Sequence, residues 1–117
     1  MMRIQIVLAA SMMLLVGVHL AVAEPDARTL RTFKAKCAAC HGDDGKGVTE
    51  QGKKMGIGDM TSKDFQKAFT DQQIKDVVSA GFKRDKNGKH QEMDAFKDAL
   101  RPDQIDALVA YVRSLGK

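Results

Sequence analysis

The fold is decided by one short stretch, Cys37-Ala38-Ala39-Cys40-His41, which contains both cysteines of the chain. Two intervening residues place the two thiols on a single helical turn, and the histidine follows the second cysteine directly. In a haem-attachment site each thiol adds across one vinyl group of the porphyrin, and the adjacent imidazole reaches the iron. The pattern therefore predicts one covalently bound haem.

Three other kinds of site use the same residue types. A CxxC pair can be a redox dithiol, but that interpretation needs a βαβ context, which the sequence does not show. The pair can also form a structural disulfide in a haem-free binding module, although a loop of two residues would constrain the unfolded chain little. Zinc is disfavoured because two thiolates and one histidine leave a tetrahedral site one ligand short.

Residues 1–23 have the pattern of a cleavable secretory signal peptide. A positive charge at Arg3 precedes an apolar run, and Ala21-Val22-Ala23 has the small residues typical of a cleavage site. An uncleaved membrane anchor is the alternative, because about 20 apolar residues can span a bilayer. Covalent haem attachment and disulfides both belong outside the reducing cytosol. We therefore expect a periplasmic protein without stable membrane insertion once the signal is removed.

Residues 24–117 are expected to form one small, monomeric domain. Only 21 of them are Val, Leu, Ile, Met, Phe or Tyr, so a protein-only core would be thin and a buried porphyrin would complete it. The formal net charge of +4 at pH 7 is too small to indicate a nucleic-acid partner. No independent nucleophile or acid–base group is visible, so we expect a protein that is not an enzyme.

Helical periodicity predicts an all-α domain of three to four helices connected by long loops. The helical segments are residues 25–39, 63–69, 70–81 and 102–116. The third begins with a capping box formed by Thr70 and Gln73, and the last begins with Pro102 at a favoured first helical position. Residues 41–62 are rich in glycine and residues 82–100 look irregular, with no strand pattern. Long loops in a small domain are expected to wrap around a flat cofactor.

The chain resembles the small bacterial class I cytochromes c, which carry a single haem. The resemblance covers nearly all of residues 24–117. It rests on four segments, Lys36–Gly42, Gly45–Gly47, Met93–Phe96 and Gln104–Val112. It implies the class I cytochrome c fold around one haem c, and one-electron transfer between a donor and an acceptor protein.

The resemblance also implies the roles of individual residues. Cys37 and Cys40 would bind the haem covalently, and His41 would be the proximal ligand of the iron. The sixth ligand of this family is a methionine before the last helix, usually followed by proline. Met93 has that position, but Asp94 replaces the proline, so the loop loses a fixed φ and gains an N–H. A haem sensor or small catalyst with a labile Met93 is therefore the alternative to an electron carrier.

Other side chains compete for the sixth position. Met60 is interpreted as a core residue, because most methionines fill apolar space. Met55 lies in the glycine-rich segment and is expected to pack near the ring. His90 would give bis-histidine iron with a lower reduction potential, but its lysine-rich surroundings predict a solvated side chain.

The second nitrogen of a ligating histidine needs a hydrogen-bond acceptor. In the family this is often the carbonyl of a proline, but the only prolines of this chain are at positions 25 and 102. A carbonyl among residues 48–55 is expected to accept from His41 instead. Phe33 and Tyr111 resemble the aromatic positions through which the terminal helices of the family pack.

Overall fold

A computed structural model of the protein describes Gly17 and residues 24–117. The rest of the predicted signal peptide and its cleavage site lie outside the described residues. The part described is mostly helical, as predicted, but it contains six helices and a two-stranded hairpin. The elements are α1 (Ala27–Lys36), α2 (Ala38–His41), α3 (Glu50–Met55), α4 (Lys63–Ala68), α5 (Asp71–Ala80), β1 (Phe82–Lys86), β2 (Lys89–Met93) and α6 (Pro102–Ser114). Within this part, no helix is both long enough and apolar enough to cross a bilayer.

The first and last helices pack against each other through an aromatic pair. The ring centroids of Phe33 and Tyr111 are 4.8 Å apart, and the planes are inclined at 69°. This edge-to-face arrangement is a favourable geometry for two aromatic rings. Phe33 is only 2% exposed and lies in the core, so the predicted contact between the terminal helices is confirmed. The buried apolar residues of the core are Phe33, Met60, Ile74, Val78, Leu100, Ile105, Leu108, Val109 and Val112.

Local sequence signals set the ends of several helices. The predicted capping box of α5 is present, because the Thr70 hydroxyl accepts from Gln73 N at 3.1 Å and Gln73 Oε1 accepts from Thr70 N at 2.8 Å. The helix ends at Gly81, whose φ of +66° is readily adopted only by glycine. Pro102 is the first residue of α6, as predicted.

Helix α3 lies within the segment that was predicted to be a loop. The Thr49 hydroxyl caps it by accepting from Gly52 N at 2.9 Å, and Gly56 ends it with a left-handed φ of +61°. Six residues are too few to show a helical repeat, so periodicity could not reveal this helix.

The prediction of an irregular segment without strands at residues 82–100 was wrong in its first half. Strands β1 and β2 pair in antiparallel register, with Phe82 opposite Met93 and Lys86 opposite Lys89. Asn87 and Gly88 form the turn, and both have positive φ, +52° and +72°. This pair is the most favoured two-residue hairpin turn. The strands themselves are mostly polar and exposed, so hydrophobic alternation did not indicate them.

Candidate functional site

One cavity brings together the four residues that the sequence predicted to bind the cofactor. Cys37, Cys40, His41 and Met93 all line it. The first three come from the junction of α1 and α2, and Met93 is the last residue of β2. Much of the remaining wall is apolar and is formed by Met55, Ile57, Phe82 and Phe96. Two thiols, an imidazole and a thioether therefore share one mainly apolar space.

A short helical turn orients the cysteines and the histidine. Cys37 O accepts from Cys40 N at 3.2 Å and from His41 N at 2.9 Å. Gly42 ends this turn, and its N–H donates to Ala38 O at 2.8 Å. Because residues three or four apart on a helix share one face, the turn directs this set of side chains to the same side.

Residues just before α3 hydrogen-bond to the main chain of that turn. The Thr49 hydroxyl donates to Cys40 O at 2.9 Å, and Gly47 N donates to His41 O at 2.7 Å. At Gly52 the two segments approach so closely that a Cβ atom would lie 2.2 Å from Gly47 O and 2.6 Å from Cys40 O. Only glycine fits this contact, and the position of α3 is thereby coupled to the cysteine motif.

Replacing Gly52 with alanine is expected to destabilise the protein by about 1–3 kcal/mol, because the added methyl group overlaps two main-chain oxygens. Chemical denaturation measures this loss. Gly58→Ala is the matched control, since a Cβ atom there would meet nothing within 4 Å. Equal stability of the two variants would contradict the close contact between α3 and the Cys40 carbonyl.

Burial sets the protonation states of the Cys37 and His41 side chains in the polypeptide. Removal from water raises the pKa of the Cys37 thiol to about 11, so the side chain is a neutral S–H at neutral pH. Burial also lowers the pKa of His41, which favours the neutral imidazole. A neutral imidazole keeps the lone pair that binds a metal, and a neutral thiol supplies the S–H that adds across a vinyl group.

The His41 ring has an unsatisfied polar atom. Its Nδ1 is buried and has no hydrogen-bond partner among the described residues. The carbonyl acceptor expected from residues 48–55 is therefore not found. Leaving such an atom unpaired costs about 1–3 kcal/mol, so the polypeptide alone does not complete the surroundings of this ring.

The main chain around Met93 is fixed on both sides. On the N-terminal side, Met93 pairs with Phe82 in the hairpin. On the C-terminal side, Phe96 N donates to Val78 O at 3.0 Å and Lys97 N donates to Ser79 O at 3.1 Å. These bonds use carbonyls at the end of α5 that have no partner within the helix.

Gly81 allows this arrangement, because a Cβ atom on it would lie 2.4 Å from Met93 O. The loop therefore has a defined path without the proline that Asp94 replaces. This support was not predicted from the sequence, although the Asn87-Gly88 turn and Gly81 are local signals for it.

The three side chains that compete with Met93 for the sixth position lie in different parts of the structure. Met60 is 5% exposed and belongs to the core, as predicted. The His90 side chain is 61% exposed and its Nδ1 lies 2.8 Å from Asp85 Oδ1, so it is solvated on the outer face of the hairpin as expected. Met55 lines the same cavity as Met93. Two thioethers are therefore present at the site.

A family model described as Cytochrome c matches residues 27–116. The chain belongs to the cytochrome c family. Covalent haem c, haem-based electron transfer and the class I fold predicted from the sequence follow from this membership. The four donor side chains that share the cavity fit this cofactor.

Two known proteins are similar to this cytochrome. The Cbb3-type cytochrome c oxidase subunit FixP of Bradyrhizobium diazoefficiens is 33% identical over 86 residues, which are 74% of this chain and 26% of that protein. The chain thus spans about a quarter of the length of this curated relative. The solved structure of the KustC0563 c-type cytochrome is 27% identical with a TM-score of 0.62, and the match covers 76% of this chain and 98% of the other.

Proposed function

We propose that this cytochrome is a periplasmic one-electron carrier whose haem is attached at Cys37 and Cys40, with His41 and Met93 as the axial ligands of the iron. The observation that supports the proposal is the presence of all four side chains on one cavity. The bound haem supplies an iron that cycles between the ferric and ferrous states. A proline at position 94 is not needed to fix the loop, because the hairpin and α5 already fix the main chain of Met93.

The side chains at the site favour a high reduction potential. A thioether ligand such as that of Met93 stabilises ferrous iron relative to a second histidine. Apolar neighbours such as Ile57 and Phe96 exclude water, and burial also disfavours the additional charge of ferric iron. The neutral His41 imidazole is ready to bind metal without losing a proton.

The proposed partners are an electron donor protein and an electron acceptor protein, and the carrier itself is proposed to be a monomer. The FixP relative is a subunit of a cytochrome c oxidase. We therefore propose an oxidase complex as one candidate partner. The small net charge of +4 gives no reason to include nucleic acid.

The alternative function, a haem sensor or small catalyst, requires Met93 to leave the iron readily. Two main-chain hydrogen bonds after Met93 and strand pairing before it oppose such a movement. A carrier needs no open coordination position, since it exchanges only electrons with its partners. The fixed loop therefore favours the carrier.

Carbon monoxide binding separates these functions. The protein should be produced in the periplasm of a host that attaches haem, reduced at neutral pH and exposed to the gas. A carrier should keep its ferrous spectrum unchanged and titrate with one electron per haem. Rapid formation of the carbon monoxide adduct would instead support the sensor or catalyst, and a colourless product would support the haem-free module.

A further inference from the structure

Gln91 is the buried polar side chain of the hairpin. It is 4% exposed, whereas the other residues of β2 from Lys89 to Glu92 are exposed. It lies two residues before Met93, and alternate residues of a strand share a face. Both residues accordingly line the same cavity. A buried amide at this place needs hydrogen-bond partners, or it would destabilise the fold.

The Gln91 amide satisfies its hydrogen bonds across three elements. Nε2 donates to Met55 O at 2.9 Å and to Gly56 O at 3.0 Å, which are carbonyls at the end of α3. Oε1 accepts from Nε of Arg84, its cross-strand neighbour, at 2.6 Å. The bonding partners fix the orientation of the Gln91 amide, because only its nitrogen can donate to carbonyls and only its oxygen can accept from Arg84.

These bonds connect the two sides of the cavity. The hairpin carries Met93, and α3 is joined through Thr49 to the carbonyl of Cys40. The hydrogen bonds of Gln91 to the end of α3 therefore fix the strand with the sixth ligand relative to the segment with the cysteines. Lys89 adds an exposed bond from Nζ to Lys53 O at 2.6 Å. Exposed contacts of this kind contribute little, so Gln91 provides the main polar connection.

From this network we infer that Gln91 is a positioning residue for the sixth iron ligand. It acts through the hairpin, since it holds β2 against α3 and thereby keeps the Met93 thioether at the iron. The inference rests on the proposed function, because it requires Met93 to be that ligand. Its consequence is that loss of the Gln91 amide should make Met93 exchange more readily with an external ligand.

Gln66 provides a matched control elsewhere in the fold. Its Nε2 donates to two main-chain carbonyls, Met60 O at 2.7 Å and Val112 O at 3.0 Å. Its Oε1 accepts from the guanidinium of Arg113 at 3.1 Å. Gln66 therefore makes the same set of bonds as Gln91, but it does not line the cavity. Both substitutions to leucine should lower the stability of the protein.

The experiment is a titration of the ferric holoprotein with imidazole, monitored by the weak sulfur-to-iron absorption band. For Gln91→Leu, imidazole affinity should rise about tenfold or more, the change expected when the two hydrogen bonds from Gln91 to the end of α3 are lost. For Gln66→Leu, affinity should stay within about twofold of the wild type. Gln91→Glu keeps the acceptor for Arg84 but loses both donors. It should behave like Gln91→Leu, and it serves as the test if the leucine variant does not fold.

Two other results would contradict the inference, and they separate a structural role of Gln91 from a wrong assignment of Met93. If Gln91→Leu and Gln66→Leu raise the imidazole affinity equally, or neither does, Gln91 has only a structural role and the inference is overturned. Met93→Ala separates this result from failure of the proposed function. If the Met93→Ala protein retains the sulfur band and the imidazole affinity of the wild type, Met93 is not the ligand and both proposals fail.

Discussion

Replacing Met93 with alanine is expected to abolish the sulfur-to-iron absorption band of the ferric protein and to open the iron to added ligands. The imidazole affinity should rise by about a hundredfold or more, since no internal thioether competes for the iron. The reduction potential should fall by on the order of 0.1 V, because axial ligands are the main determinant of haem potential. Visible spectroscopy and a redox titration measure both effects.

Three variants test whether this effect is specific to Met93. Met55→Ala removes the other thioether of the cavity and should leave the band in place. His90→Ala should do the same, because the imidazole is exposed and paired with Asp85. Met60→Ala should cost about 2–5 kcal/mol of stability without changing the spectrum, as expected for a buried core residue. Loss of the band in Met55→Ala would assign the ligand to Met55, and a changed coordination in His90→Ala would indicate bis-histidine iron.

The haem-free chain is expected to be largely unfolded at room temperature. A domain of this size has a thin core, and the apolar side chains of the cavity would have no cofactor to contact. A cofactor that binds only the folded state stabilises that state, so its removal should lose most of the helical signal.

Circular dichroism of the double variant Cys37→Ala/Cys40→Ala, produced without haem, measures this effect. The holoprotein is the reference, and it should show one cooperative thermal transition with full helicity. A haem-free variant that retains native-like helicity and melts cooperatively would contradict a core completed by the cofactor.

Features of the fold that depend on neighbouring residues could be predicted from the sequence. The turn that carries Cys37 and Cys40, the capping box at Thr70 and the start of α6 at Pro102 are all local signals, and each is present in the structure. The contact between Phe33 and Tyr111 was predicted only through the family resemblance.

Features that depend on distant contacts could not be predicted. Strand β2 is polar, and its one buried residue, Gln91, is stabilised by carbonyls 35 and 36 residues earlier in the chain. Nothing in the local sequence indicates such a partner. The replacement of proline by Asp94 similarly raised the alternative of a labile Met93, whereas Gly81 and the carbonyls of α5 fix the main chain of that loop through long-range contacts.

The attachment of haem at Cys37 and Cys40 is tested most directly by the mass of one tryptic peptide. Cleavage after Lys36 and Lys46 releases a peptide with the sequence CAACHGDDGK, which contains both cysteines and His41. In protein from a host that attaches haem, this peptide should carry the mass of one haem after acid–organic extraction. An unmodified peptide from a red protein, with haem that extracts freely, would contradict covalent attachment at these residues.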